Sequence, residues 1–433
     1  MDPDKRHKKL LIQKEKDMFA NINSENLLKN IFQVSLNSII IALINLTFHI
    51  ILSRKLGPAP YGELETLLTI NNVILISLSA VCFIVTKFVS YYRTRQQYDK
   101  MKFLANWAFI FFFMIGMATF FINLMMSNII AGFLNIEDSM IIVIFGFLIW
   151  ISFMMPIIEG ILRGLQEFNF VGRYKLLDAI TRLAIATVLI YLGMQIKTIV
   201  AGLAVGAAIT LLFSGYILKK VYINKPYKIN LKEIYRFAMP VFLACVFYAT
   251  LSNIDLILVK HFFDPKTTGY FAAAAMLAKL VLAIAFGSAG VMFPKLIEQY
   301  SNGDSKGITK TFRNTLKIAL IGGLILTLVI ALYPHAVSKA IFGAQYSIDE
   351  MLSVYAFATL FLSISVILMM YDLAVKKYKF IIVFCIAAFI MIYQIITSHE
   401  TLYSVVWALF TIDLLVMIFM LIYNKKAVFS RYY

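Results

Sequence analysis

Twelve stretches of about 20 mainly apolar residues dominate this chain, and a bilayer is the solvent that accommodates so many of them. They run at 30–52, 67–90, 103–126, 140–161, 176–193, 198–218, 234–258, 270–293, 313–333, 350–370, 378–397 and 402–423. In hydrocarbon, backbone N–H and C=O groups must be satisfied within their own segment, so each stretch is read as a spanning helix. An all-α polytopic membrane protein follows. Composition agrees, with 61% of the 433 residues hydrophobic and 15% charged, against about 25% charged in soluble chains. Cys82, Cys245 and Cys385 lie in apolar runs with neither disulfide nor metal spacing, and read as small apolar fillers.

The formal net charge of +17 raises nucleic acid as a partner, but the charge distribution argues against it. Lys and Arg gather in connections at alternate ends of the apolar runs, 31 of the 40 on the side of the termini and six on the other. Lys87, Arg182 and Lys279 fall inside spans. By the positive-inside rule both termini are cytoplasmic, and the cytoplasmic membrane is the expected location. Residues 1–29 contain no apolar signal core and are expected to form a basic cytoplasmic tail, either lying on anionic lipid or solvated.

The basic connection Lys219–Arg236 sits midway and reads as a cytoplasmic linker between an N-terminal lobe, 30–218, and a C-terminal lobe, 237–433. Six spans before it, an even number, make the lobes parallel repeats related by an axis along the membrane normal. The design of Leu52–Leu68 returns at Lys260–Met276, with Pro58 matched by Pro265 and Gly62 by Gly269, each 207 positions on. Each copy reads as a Pro-x-x-x-Gly turn at the outer face, since proline stops one helix and glycine re-aims the chain. Together they are expected to form a paired outer hinge.

A Lys, Arg or Asp at the centre of a spanning helix costs roughly 2.5–3.5 kcal/mol, so it needs a partner or water. The first helix carries Gln33, Asn37, Asn45 and His49 at i, i+4 steps, with Ile41 interrupting. In the second, Asn72, Ser79 and Thr86 recur every seven residues, with Lys87 beside them near the cytoplasmic end. Tyr248, Ser252 and Asp255 align on the seventh, and Lys279 on the eighth occupies the place of Asn72 under the 207 offset. A central cleft between the lobes, lined by these four helices, explains the matching positions. Other readings stand beside it. Asn, Ser and Thr often bond across helices or to their own backbone, and Lys87 can snorkel. His49 reads as an interfacial or packed histidine, and Asp413 can bond a neighbour. Lys279, about ten residues from either end of its helix, is too deep to snorkel and is assigned to a water-filled cavity. Glu159 with Arg163, and Asp178 with Arg182, are i, i+4 and read as structural ion pairs ahead of a transport role.

No GKS/GKT phosphate loop, HExxH, clustered His/Cys or paired Asp motif occurs, so no ATPase, metal site or cofactor is expected. The longest outer connections, about 127–139 and 334–349, hold few catalytic groups, which disfavours a glycan polymerase or ligase. A scaffold without transport leaves the polar stripes unexplained.

Several stretches resemble the polysaccharide flippases of the multidrug/oligosaccharidyl-lipid/polysaccharide superfamily. ILSRKLGPAPYGELETLLTI is similar to their R-x-LG-P-x-x-YG turn after the first helix. EGILRGLQEFNFVGRYKLLDAITRL resembles their Gly-x-Leu-Arg-Gly-x-Gln-x-Phe connection between the fourth and fifth helices. SNIDLILVKHFFDPKTTGYFAAAAML looks like the seventh-to-eighth junction, Phe293-Pro294-Lys295 like the usual end of the eighth helix, and KKYKF like the stretch after the tenth. The resemblance implies a V-shaped, two-lobed bundle that moves undecaprenyl-diphosphate-linked oligosaccharide from the inner to the outer leaflet by alternating access, beside other glycan-assembly proteins. Its cationic cavity would correspond to Lys279, with Lys87 and Arg182, and a proton or sodium ion would be the coupling ion. Asp255 would bind that ion or balance Lys279. The basic flank of the outer turn, Arg54, Lys55 and Lys260, is then a candidate contact for a departing diphosphate. Two departures stand out: Met276 occupies a position often basic in relatives, and twelve spans replace the fourteen of lipid II flippases. A cation-coupled drug exporter of the same superfamily is the other transport reading, and it would favour acidic cavity residues.

Overall fold

A computed structural model describes residues 24–218, 231–346 and 348–429. The tail expected at 1–29 and the linker expected at Lys219–Arg236 lie outside these residues, apart from helical backbone at their edges. Among the described residues all regular structure is helical. The helices are α1 (Ser24–Leu56), α2 (Pro58–Thr94), α3 (Tyr98–Met125), α4 (Ser127–Phe133), α5 (Ser139–Ser152), α6 (Met155–Gly164), α7 (Phe168–Tyr191) and α8 (Ile196–Leu218). The second half contributes α9 (Leu231–Phe262), α10 (Pro265–Ser301), α11 (Ser305–Leu332), α12 (Pro334–Phe342), α13 (Asp349–Ala374), α14 (Phe380–Thr397), α15 (Leu402–Tyr423) and α16 (Lys425–Phe429). Ten spans among the described residues, counting α5 and α6 as one, are long and apolar enough to cross a membrane. Helices α1 and α7 cover the first and fifth of the twelve expected segments and are not among those ten. The molecule is a multi-pass membrane protein.

The repeat is visible in the element bounds. Both α2 and α10 are 37 residues long, and each end of α10 lies 207 positions after its counterpart. The same offset relates α3 to α11, residue for residue at both ends. Two lobes of matching order result, set in a V-shaped architecture.

Proline and glycine act differently from the sequence expectation. Pro58 and Pro265 do not form turns; each lies at the start of the following helix, where its missing N–H is no loss and its fixed φ suits the first turn. Gly62 and Gly269 therefore sit inside helices. The chain reverses instead at Gly57, with φ of 77°, and at Asp264, whose Oδ2 accepts from the N–H groups of Lys266 and Thr267 at 3.0 Å each. The glycines serve close approach: a side chain on Gly62 would press on the backbone of Gly269, and one on Gly269 would collide with the Pro58 carbonyl. The expected hinge is thus a direct crossing of two helix N-termini.

Three further expectations need correcting. The span at 140–161 is broken at Phe153–Met154, because Pro156 cannot donate to a carbonyl one turn back. Pro294 does not end the eighth span; α10 continues through it to Ser301. The connections expected at the outer face, about 127–139 and 334–349, contain the short helices α4 and α12 rather than plain loops.

Packing places α2 at the seam. It lies against α6 of its own lobe and against α9 and α10 of the other, while α1 packs chiefly on α7. Across the seam Ser79 Oγ donates to Cys245 Sγ at 3.5 Å, and the rings of Phe83 and Phe293 meet at 5.4 Å.

Candidate functional site

The break before Pro156 turns Ser152 and Met155 toward a cavity of about 480 Å³ inside the N-terminal lobe. From α2 come Leu68, Asn71, Leu75, Ser79 and Cys82, spaced three or four apart and so on one helix face. Glu159 and Arg163 come from α6, and Tyr174, Lys175, Asp178 and Arg182 from α7. Three cationic groups thus face two carboxylates.

Glu159 is held from three sides. Arg163 Nη2 lies 2.5 Å and Lys175 Nζ 2.7 Å from its Oε1, and the Tyr174 hydroxyl donates to Oε2 at 3.0 Å. Arg182 Nη2 donates to Asp178 Oδ2 at 3.3 Å and to Asn45 Oδ1 of α1 at 3.2 Å, with its guanidinium 5.8 Å from the Phe48 ring centre. Two buried polar atoms of lining residues have no protein partner: the acceptor Asn71 Oδ1 and the donor Arg163 Nε. Leaving such atoms unpaired costs about 1–3 kcal/mol each. The first is satisfied by a hydroxyl or amide donor, the second by an acceptor oxygen, at separate points of the cavity.

The other sequence candidates fall elsewhere. In the C-terminal lobe Lys279 Nζ lies 3.4 Å from Asp255 Oδ1, and the Tyr355 hydroxyl donates to Asp255 Oδ2. The Asp255 side chain is 2% exposed and that of Lys279 22%, so Lys279 is paired and largely buried. Asp413 is also buried here, with Oδ1 unpartnered. Ser252 bonds back to the Tyr248 carbonyl at 2.9 Å, and Tyr248 is buried against Phe286. In the N-terminal lobe Asn37 packs against Gly172 of α7, Thr86 donates to the Gly160 carbonyl at 3.2 Å, and Asn72 is exposed. Lys87 is exposed near the C-terminal end of α2, 5.5 Å from the Phe88 ring centre. His49 sits 3.3 Å from both the Tyr61 hydroxyl and Glu65.

The polar residues read as lining one cleft therefore divide between the two lobes, because α2 fills the seam against α9 and α10. Sequence reasoning missed Asn71, Tyr174 and Lys175. Asn71 could have been found from its i, i+4, i+8 alignment with Leu75 and Ser79. Among the described residues no group of three His, Cys, Asp or Glu is arranged to hold a metal ion.

A family profile described as polysaccharide biosynthesis protein matches residues 27–299. No curated protein sequence matches the chain significantly. Among solved structures, the lipid II flippase MurJ in an inward closed conformation aligns with a TM-score of 0.71 at 14% identity, covering 91% of this chain and 87% of that one. An inward-facing multidrug resistance MATE family transporter of the MOP superfamily gives 0.69 at 14% identity, over 89% and 94% of the two chains. An outward-facing structure described in the same words gives 0.62 at 14% identity, over 92% and 95%. The likeness is one of fold.

Proposed function

Because this chain belongs to the polysaccharide biosynthesis protein family and has the fold of MOP-superfamily transporters, we propose that it flips a lipid-linked oligosaccharide across the cytoplasmic membrane. The carrier is undecaprenyl diphosphate, and the glycan moves from the inner to the outer leaflet for cell-surface polysaccharide assembly. The observation that carries the reading is the N-terminal cavity, net cationic, with the unpaired acceptor of Asn71 and the unpaired donor of Arg163 both in its lining. A sugar hydroxyl donates to the first, and a sugar or phosphate oxygen accepts from the second. Arg182, Ser79 and Asn45 extend the polar surface. Lys279 with Asp255 forms the second polar centre, in the C-terminal lobe, where a proton or sodium ion would couple transport. The lobes rock against each other about the connection at 219–236, with both termini cytoplasmic, and no enzymatic step is involved.

The test is export. Asn71→Leu removes the acceptor and keeps the branched shape, and is expected to lower transfer of a lipid-linked oligosaccharide in proteoliposomes at least tenfold, about the loss of one buried hydrogen-bond partner. Protein level in the membrane should stay normal. Undiminished transfer would sink the assignment of this cavity. The buried acids Asp255 and Asp413 favour a second reading, cation-coupled drug export. Resistance to cationic dyes on overexpression, without glycan transfer, would make it the better one.

A further inference from the structure

The last turns of α1 and α9, equivalent ends in the two lobes, each reach across the seam at the outer side. Arg54 donates through Nε to the Ile341 carbonyl at 3.0 Å and through Nη2 to that of Ala340. His261 Nδ1 lies 2.7 Å from the Phe133 carbonyl oxygen, with its ring stacked on Phe133 at 4.1 Å. His261 is 207 positions after Arg54, and Ala340 is 207 after Phe133. The neighbouring residues repeat the exchange in reverse. The Ser53 carbonyl accepts from Gln345 Nε2 at 3.1 Å and from the Tyr346 hydroxyl at 3.0 Å. Its equivalent, the Lys260 carbonyl, accepts from Asn135 Nδ2 at 3.3 Å, and the Lys260 ammonium donates to the Asn135 carbonyl at 3.3 Å.

The acceptors are last-turn carbonyls of α12 and α4, which have no donor within their own helix. Each helix is closed by a left-handed residue, Gly343 with φ of 86° or Asn135 with φ of 48°, so the chain turns away and leaves those carbonyls open. A cationic or N–H donor suits a helix C-terminus through its dipole. In both halves the missing cap comes from the opposite lobe.

We propose that this reciprocal capping is a reversible outer latch: each lobe terminates the other's short outer helix, and the outer end opens only when both halves release. The bonds lie at the protein's outer end, where water can replace each one as the lobes part, so each is weak and the pair is separable. The halves are unequal. Arg54 is permanently charged and spans two carbonyls, whereas His261 reaches one. The link between release and transport rests on the proposed function; the latch itself does not.

The test uses the full chain, with Cys82, Cys245 and Cys385 replaced, reconstituted in liposomes without substrate. Spin labels are placed at Leu192→Cys and Tyr333→Cys, exposed positions at the outer ends of the two lobes. Pulsed dipolar spectroscopy is expected to give one short-distance population for the native latch. Arg54→Ala and His261→Ala should each add a longer-distance population, raising its share about threefold or more, with Arg54→Ala the stronger. The double variant should be mostly open. A double variant that keeps the native distance overturns the latch. Should these variants fail to assemble, Arg54→Lys keeps the charge without the fork and should open part-way; an unchanged distance there also overturns it. An outer end that opens as expected in a protein that transfers no glycan would retain the latch and refute the proposed function.

Discussion

Lys279 and Asp255 show why a charge read from sequence says little about its surroundings until its neighbours are known. The lysine sits where snorkelling fails; the structure sets it beside the Asp255 carboxylate, which Tyr355 also holds. A buried pair is costly to split, because the survivor keeps its desolvation penalty. Lys279→Met is therefore expected to destabilise the protein by about 3–5 kcal/mol, and Asp255→Asn added to it to recover most of that loss. Thermal unfolding in detergent checks the pattern, and a double variant as unstable as the single would contradict it. The polar stripe on α2 was legible in the same partial way. Ser79 does line the cavity, yet Asn71 rather than its neighbour Asn72 meets it, and only packing separates two adjacent asparagines.

Helix ends were harder to read than helix interiors. Apolar runs mark the spans, because hydrocarbon leaves the backbone no other choice, but a proline in sequence does not say whether it ends a helix, begins one or lies within it. Pro58, Pro156, Pro265 and Pro334 stand in the first turn of the helix after a break, and Pro240 and Pro294 lie within helices. Asp264 makes the start of α10 testable. Its carboxyl is held below the usual carboxylate range chiefly by the Thr267 hydroxyl, then by the Thr267 and Lys266 N–H groups. A depressed folded pKa means the cap contributes fully above the unfolded value and fades as pH falls through the folded one. Asp264→Ala should cost about 0.5–2 kcal/mol at neutral pH, and Asp264→Asn, which keeps an acceptor but not the charge, a part of that. The gap between wild type and the alanine variant should narrow in acid, measured as melting temperature against pH; a gap that widens there would refute the cap.

Across the whole molecule, the 207-residue offset extends from two turns in the sequence to complete helices, so the two-lobed plan was legible early. How the lobes meet was not, since close approach depends on Gly62 and Gly269 touching each other rather than on either alone. The contact of Ser79 with Cys245 supplies a probe of relative motion. Ser79→Cys places two sulfurs at the seam, and oxidation is expected to arrest the proposed glycan transfer, with reductant restoring it. Full transfer by the cross-linked protein would mean the seam does not open at this depth. The bond from Arg182 to Asn45 also bears on how the protein is made, for its partners are 137 residues apart. At about 5–20 residues per second of synthesis, roughly 7–27 s separate them. For that interval α1 waits in the membrane without its main neighbour, and α7 then arrives carrying Arg173, Lys175, Asp178 and Arg182. The first helix made is among the last in its lobe to be secured, which makes the newborn N-terminal half dependent on whatever shelters unfinished membrane chains.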